Sequence, residues 1–133
     1  MKDKITIILR ILTALIFLQT LYFKFTASPE SVYIFSKLSM EPYGRIASGI
    51  AELVTAVLLL LPATFILGAF ISILIISGAI LSHLALLGIV VMDDGGLLFI
   101  LAISIFIFSI LILFLKKEGV VQVLNRLGLK KGV

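Results

Sequence analysis

Among the side chains able to carry charge or exchange hydrogen bonds inside hydrophobic runs too long to face water, Gln19 and Lys24 in the first run, Glu52 in the second and His83 in the third could do chemistry together. An ionised carboxylate in hydrocarbon is costly, so Glu52 must be protonated, paired or turned to a hydrated cavity. Imidazole titrates near neutrality and a desolvated carboxyl is pushed up towards it, so Glu52 and His83 in one pocket could accept or relay protons. The bland alternative is an interhelical hydrogen bond that fixes helix register. Beyond His83 the chain reaches an acidic turn, Asp93-Asp94-Gly95-Gly96, that opens the next hydrophobic run. His83, Glu52, Asp93 and Asp94 lack the close spacing of zinc ligands, and no metal is expected.

The elements that position these residues follow from composition. The 133 residues are 62% hydrophobic and 14% charged, with a mean hydropathy of +1.32, too apolar for a soluble core to hide. Hydrophobic runs at 5–25, 43–61, 65–91 and 97–115 predict four membrane spans in a single domain, since about 20 apolar residues cross a bilayer. The first run exceeds the ~7–15-residue apolar core of a signal peptide and reads as a retained span. Arg10, early in it, reads as a side chain snorkelling to the interface. Ser28-Pro29-Glu30 looks like a helix start, with Ser28 as cap and Pro29 at the first helical position. The short helix to about Leu38 turns Val32, Phe35 and Leu38 to the membrane surface. Glu41-Pro42 then launches the second span, and Pro62-Ala63-Thr64 permits only a tight antiparallel connection. Asp94 reads as the cap of the fourth span. The tail, 118–133, is amphipathic: Val120, Leu124 and Leu127 lie on one side, with Arg126, Lys130 and Lys131 available to headgroups. The expected fold is all-α, a transmembrane four-helix bundle with an interfacial helix after the first span and an amphipathic C-terminal tail.

Charge sets the orientation. Lys2, Lys4, Arg10, Lys116, Lys117, Arg126, Lys130 and Lys131 gather on the side of the termini, against Lys24, Lys37 and Arg45 on the other. Basic residues favour the cytoplasm, so both termini are expected there, in the cytoplasmic membrane. The net charge of +4 is thus a topology and lipid signal, and no nucleic-acid motif accompanies it. Sequence distances then become depths: at 1.5 Å per residue Glu52 lies ~10 Å past Arg45, His83 ~12 Å before Val91 and Gln19 ~8 Å before Lys24. The three share a layer in the outer half, with Lys24, Arg45, Asp93 and Asp94 at its mouth.

The basic residue in RILTALIF, the FKFTASPESVYIF segment after the first span, GIAE in the second and SHLALLGIVVMDDGG together resemble the DoxX family of small four-span membrane proteins. The resemblance covers nearly the whole chain and implies a four-helix transmembrane bundle with Arg10, Lys24 and Glu52 as matching polar positions. Some relatives are subunits of thiosulfate:quinone oxidoreductases or accompany redox maturation. This chain contains no cysteine, so their thiol chemistry does not carry over, and electron transfer would need a bound cofactor or a partner redox protein. The expected function is an outward-facing polar pocket for a small amphiphile, a quinone or a lipid-like molecule, with Glu52 and His83 at its polar head. Two other classes compete: a small proton-coupled transporter, against which the aliphatic run from Leu58 to Leu61 argues, and a non-catalytic accessory or assembly subunit.

Overall fold

A computed structural model describes residues 2–128; Lys130 and Lys131 of the tail lie outside them. The chain forms α1 (Lys2–Phe25), α2 (Pro29–Lys37), α3 (Tyr43–Leu60), α4 (Phe65–Ser82) continued by a π-helical turn (His83–Leu87), α5 (Leu97–Leu115) and α6 (Lys117–Arg126). Four stretches are long and apolar enough to cross a membrane: α1, α3, α4 with its π turn, and α5. They alternate in direction, and α1 and α4 each pack on both α3 and α5, closing a four-membered ring.

Hydrophobicity alone does not hold such a ring together in lipid, because hydrocarbon outside is as apolar as the core. Close approach does. Ala14, Ala56, Ala69 and Ala102, one from each span, are buried at the seams. At Gly68 a Cβ would stand 2.9 Å from the Leu59 amide nitrogen, so only glycine permits the observed approach of α4 to α3. Four hydroxyls, Thr13, Thr55, Ser72 and Ser109, are fully enclosed. Ser72 and Ser109 bond each other at 2.8 Å across α4 and α5. Thr13 and Thr55 donate to the carbonyls of Leu9 and Ala51 on their own helices, each at 2.7 Å. Because Gly68 faces Leu59 and the helices run antiparallel, Ser72 and Thr55 lie at one level.

Helix ends are the expensive parts of a membrane bundle, since the last four carbonyls have no partner within the helix. At α3 all four are answered. The Leu61 N–H donates to Val57 at 3.2 Å and the Thr64 hydroxyl to Leu58 at 3.0 Å. Arg10, from the neighbouring span, donates Nε to Leu59 at 2.7 Å and Nη2 to Leu60 at 2.9 Å. Its guanidinium lies 4.4 Å from the centre of the Phe65 ring. Arg10 therefore turns inward as a helix cap rather than snorkelling to the interface, because the α3–α4 connection stops beside it. The N-terminal end is consequently stepped: α1 begins eight residues before Arg10, about 12 Å beyond the level where α3 stops.

At the opposite end the Ser28 side chain caps α2, accepting from the Ser31 N–H at 3.3 Å, and Pro29 occupies the first turn. The helix lies across the bundle mouth, touching α1, α3 and the π turn, with Ser31 and Phe35 buried beneath it. The three tyrosines, Tyr22, Tyr33 and Tyr43, are exposed at this end, where amphipathic rings suit the headgroup zone. The third span stops earlier than the apolar run to Val91 implies. The Gly88 N–H reaches the His83 carbonyl at 2.7 Å, one residue further than an α-helical bond, and Gly88 then takes a left-handed φ of 78° that ends the helix. Beyond α5, Gly119 of α6 seats so closely on Ile66 that a Cβ would clash with its side chain.

Candidate functional site

Near its end α1 turns Thr20 and Lys24, four residues apart, to α3, and α3 answers with Ser48 and Glu52 at the same spacing. The Lys24 ammonium pairs with Glu52 Oε1 and donates to Ser48 Oγ at 3.2 Å. Thr20 Oγ1 lies 3.0 Å from Glu52 Oε2 and 2.7 Å from the Phe17 carbonyl, so its one proton is shared between them. The Lys24 side chain keeps 15% of its exposure and that of Glu52 8%. Above them the Phe35 ring of α2 stands 5.8 Å from the ammonium, and Gly49 leaves room for the Phe25 ring, which a Cβ would meet at 2.7 Å.

Arg45 forms the rim. Its Nε donates to both Glu41 oxygens, at 2.9 and 3.0 Å, and Nη1 donates to the carbonyl of Lys24. That carbonyl belongs to the last turn of α1, so Arg45 caps α1 as Arg10 caps α3. The antiparallel pair is thereby closed at both ends by an arginine borrowed from the partner helix, each cation lying at the negative end of a helix dipole.

His83 is buried at the start of the π turn. Its Nδ1 lies 2.8 Å from the Gly88 carbonyl, which can only accept, so in the neutral ring Nδ1 carries the proton and Nε2 the lone pair. Together with the Gly88 N–H bond to the His83 carbonyl, this makes a two-way clasp. The ring sits edge-on to Phe99, 5.5 Å between centroids. Nearby, Asp94 accepts from the N–H groups of Val91, Gly96 and Leu98 at 3.0, 2.8 and 3.2 Å. Burial pushes its carboxyl up, but those three bonds, with a smaller contribution from His83, outweigh burial and hold it below the usual carboxylate value. Glu30 is pushed the other way, first by burial and then by the charge of Asp94.

Of the residues expected at one site, the structure joins Lys24 to Glu52 and sets Arg45 at the rim above them. Glu52 accepts its hydrogen bonds from α1, and the His83 ring donates to the Gly88 carbonyl. Gln19 is exposed on the outer side of α1, and Thr20 holds the inward place beside Glu52. Asp93 is exposed at a φ of 61°, whereas Asp94 serves the start of α5. Thr20 and Ser48 are the partners that sequence reasoning passed over; the signal was the seven-residue repeat Thr6, Thr13, Thr20, which keeps one face of a helix inward. Among the described residues no cluster of three metal-capable side chains forms.

Two cavities, of about 330 and 310 Å³, lie at the N-terminal end on either side of Arg10, away from Lys24 and Glu52. Comparison with family models, curated proteins and solved structures finds no match for this chain.

Proposed function

We propose that this four-span membrane protein is a DoxX-like subunit whose end opposite the termini binds the polar head of a small amphiphile, a quinone or a lipid-like molecule. The observation carrying the reading is the Lys24–Glu52 pair, nearly buried between two spans with Phe35 of α2 over the ammonium. An ion pair in this setting is retained at a cost in desolvation, and its chemistry suits a quinone head. The ammonium donates to a carbonyl oxygen; the carboxylate accepts from a hydroxyl once that oxygen is protonated; Thr20 and Ser48 keep both groups aligned. Reduction to the quinol takes two electrons from a redox partner protein and two protons, one handed over by the Lys24 ammonium and one drawn from solvent at the bundle mouth. Access requires α2 to swing aside on its linkers, lifting Phe35 from Lys24. His83, with its Nε2 lone pair and Asp94 nearby, is a second proton acceptor at the same end. The basic residues at the N-terminal end favour a cytoplasmic location for the termini, so the site faces outward.

The test is native mass spectrometry of detergent-solubilised protein with a short-chain benzoquinone. A one-to-one adduct weakened about tenfold in Glu52→Gln and in Lys24→Met supports the site, the loss of one charge-assisted hydrogen bond being of that order. An adduct unchanged in both variants overturns it. A second reading, proton-coupled transport, draws on the enclosed hydroxyls Thr13, Thr55, Ser72 and Ser109, which bring polar groups to the middle of an otherwise aliphatic bundle. Proton flux in proteoliposomes that Glu52→Gln abolishes would put this reading first.

A further inference from the structure

The stepped N-terminal end leaves a recess beside α1. One cavity is lined by Asp3, Thr6, Arg10, Phe65, Ile66 and Lys116, and the other, by Ile7, Arg10, Ile11 and Leu60. Arg10 belongs to both, and Ile7 also lines both. A guanidinium has five N–H donors; Leu59 and Leu60 take one each, which leaves three. Lys116 is paired with Asp3, and Asp3 is largely open to solvent at 80% side-chain exposure. With that acid neutralised by Lys116, the recess carries one net positive charge, on Arg10. In the chain, Lys2 and Lys4 flank Asp3, and Lys117 and Glu118 follow Lys116. Everything else lining the recess is apolar, apart from Thr6, whose hydroxyl donates to the Lys2 carbonyl at 2.7 Å.

We propose that this recess is a binding site for an anionic phospholipid, its phosphate on Arg10 and one acyl chain along the groove of Ile7, Ile11 and Leu60. Three features select that occupant. A single spare positive charge matches the single negative charge of a phosphodiester. The unused guanidinium donors form the planar fork that phosphate oxygens accept. Beyond Arg10 the second cavity extends the first along α1 as a groove of Ile7, Ile11 and Leu60, which an inorganic ion would leave empty and an acyl chain fills. Basic recesses between spans at the positively charged end of a membrane protein are general sites for anionic headgroups. This site lies at the other end of the bundle from Lys24 and Glu52 and does not depend on their role.

The experiment uses the full chain, delipidated in mild detergent, offered equal amounts of phosphatidylglycerol and phosphatidylcholine, and read by native mass spectrometry. Preferential retention of one phosphatidylglycerol per chain is expected. Asp3→Asn, an exposed change that frees Lys116, should raise that retention severalfold. Ile7→Trp, which fills both cavities without altering charge, should lower it about tenfold while circular dichroism stays unchanged. Equal retention of the two lipids, or retention indifferent to both substitutions, overturns the proposal. Complete displacement of the lipid by soluble glycerophosphate also overturns it, because the groove for the acyl chain would then contribute nothing.

Discussion

Replacing Arg10 by methionine keeps the apolar stem and removes only the fork that ends α3. Two carbonyls lose their donors, and their surroundings differ. Leu59 is fully enclosed, 0% exposed, whereas Leu60, the last residue of α3, is 45% exposed. A buried unsatisfied carbonyl costs about 1–3 kcal/mol, while one that water can reach loses only the net value of its bond, about 0.5 kcal/mol. Removing the guanidinium from the Phe65 ring adds roughly 0.5–1 kcal/mol. The expected loss is therefore about 2–4.5 kcal/mol, with Leu59 the largest contributor. Unfolding in mixed micelles on titration with sodium dodecyl sulfate, followed by circular dichroism, measures it. Arg10→Lys keeps the charge at the negative end of the α3 dipole but cannot fork to two carbonyls, so it should recover about half. A loss below roughly 0.5 kcal/mol for Arg10→Met would refute the capping argument and return Arg10 to the headgroups, since a snorkelling arginine leaves helix ends unaffected.

The remaining expectations concern the opposite end. Lys24→Met alone strands the Glu52 carboxylate between two spans and should destabilise by about 3–5 kcal/mol, whereas Lys24→Met with Glu52→Leu should sit within about 1–2 kcal/mol of the unaltered chain. A double-mutant cycle by the same unfolding assay reads the difference, and additive losses would mean that the charges do not interact. Asp94→Ala removes the acceptor of two backbone N–H groups at the start of α5 and one, from Val91, in the turn before it, and should cost about 1–2 kcal/mol. Because the folded value of Asp94 is lowered, its stabilisation is complete above the ordinary 3.8 and is lost as pH falls through the lowered value. Glu30, raised by burial and by Asp94, runs oppositely: its ionisation is unfavourable in the fold, so stability is gained as pH falls through its raised value. Asp94→Ala should therefore flatten the acid limb of the stability profile, and an unaltered limb would contradict the assignment.

The spans were legible because an apolar run bounded by charges leaves little choice in a bilayer. Ser28 and Pro29 marked the start of α2 by local chemistry alone. Which face of each span turns inward was harder to read, because a helix surrounded by lipid is apolar on every side and its periodicity fades. Hence Gln19, the more polar residue, drew attention while its neighbour Thr20 took the inward place. Arg10 was misread for a different reason: its role depends on where a helix fifty residues later comes to an end, which no local pattern encodes. The third span was overestimated because Gly88 to Val91 stays apolar after the helix has ended at the π turn, and hydropathy does not register backbone geometry. Depth alone grouped Glu52 with Gln19 and His83 and left Lys24 at the mouth, because it carries no azimuth: Lys24 turns to Glu52 and His83 to Gly88.

The uneven spans have a consequence for the surrounding lipid. With 18 residues α3 is about 27 Å long, and with 24 residues α1 is about 36 Å, on either side of the ~30 Å hydrocarbon thickness. The span of α4 with its π turn, 23 residues, stands diagonally across the ring from α1, and α5, 19 residues, stands across from α3, so long and short spans alternate and their mismatches do not add up to a net tilt. Thickening of the bilayer beside the long pair and thinning beside the short pair relieve the mismatch, each at a fraction of a kcal/mol per ångström. A bilayer a few ångströms thicker would suit α1 and worsen the deficit at α3. This chain is therefore built to ruffle the bilayer around its circumference while standing upright in it.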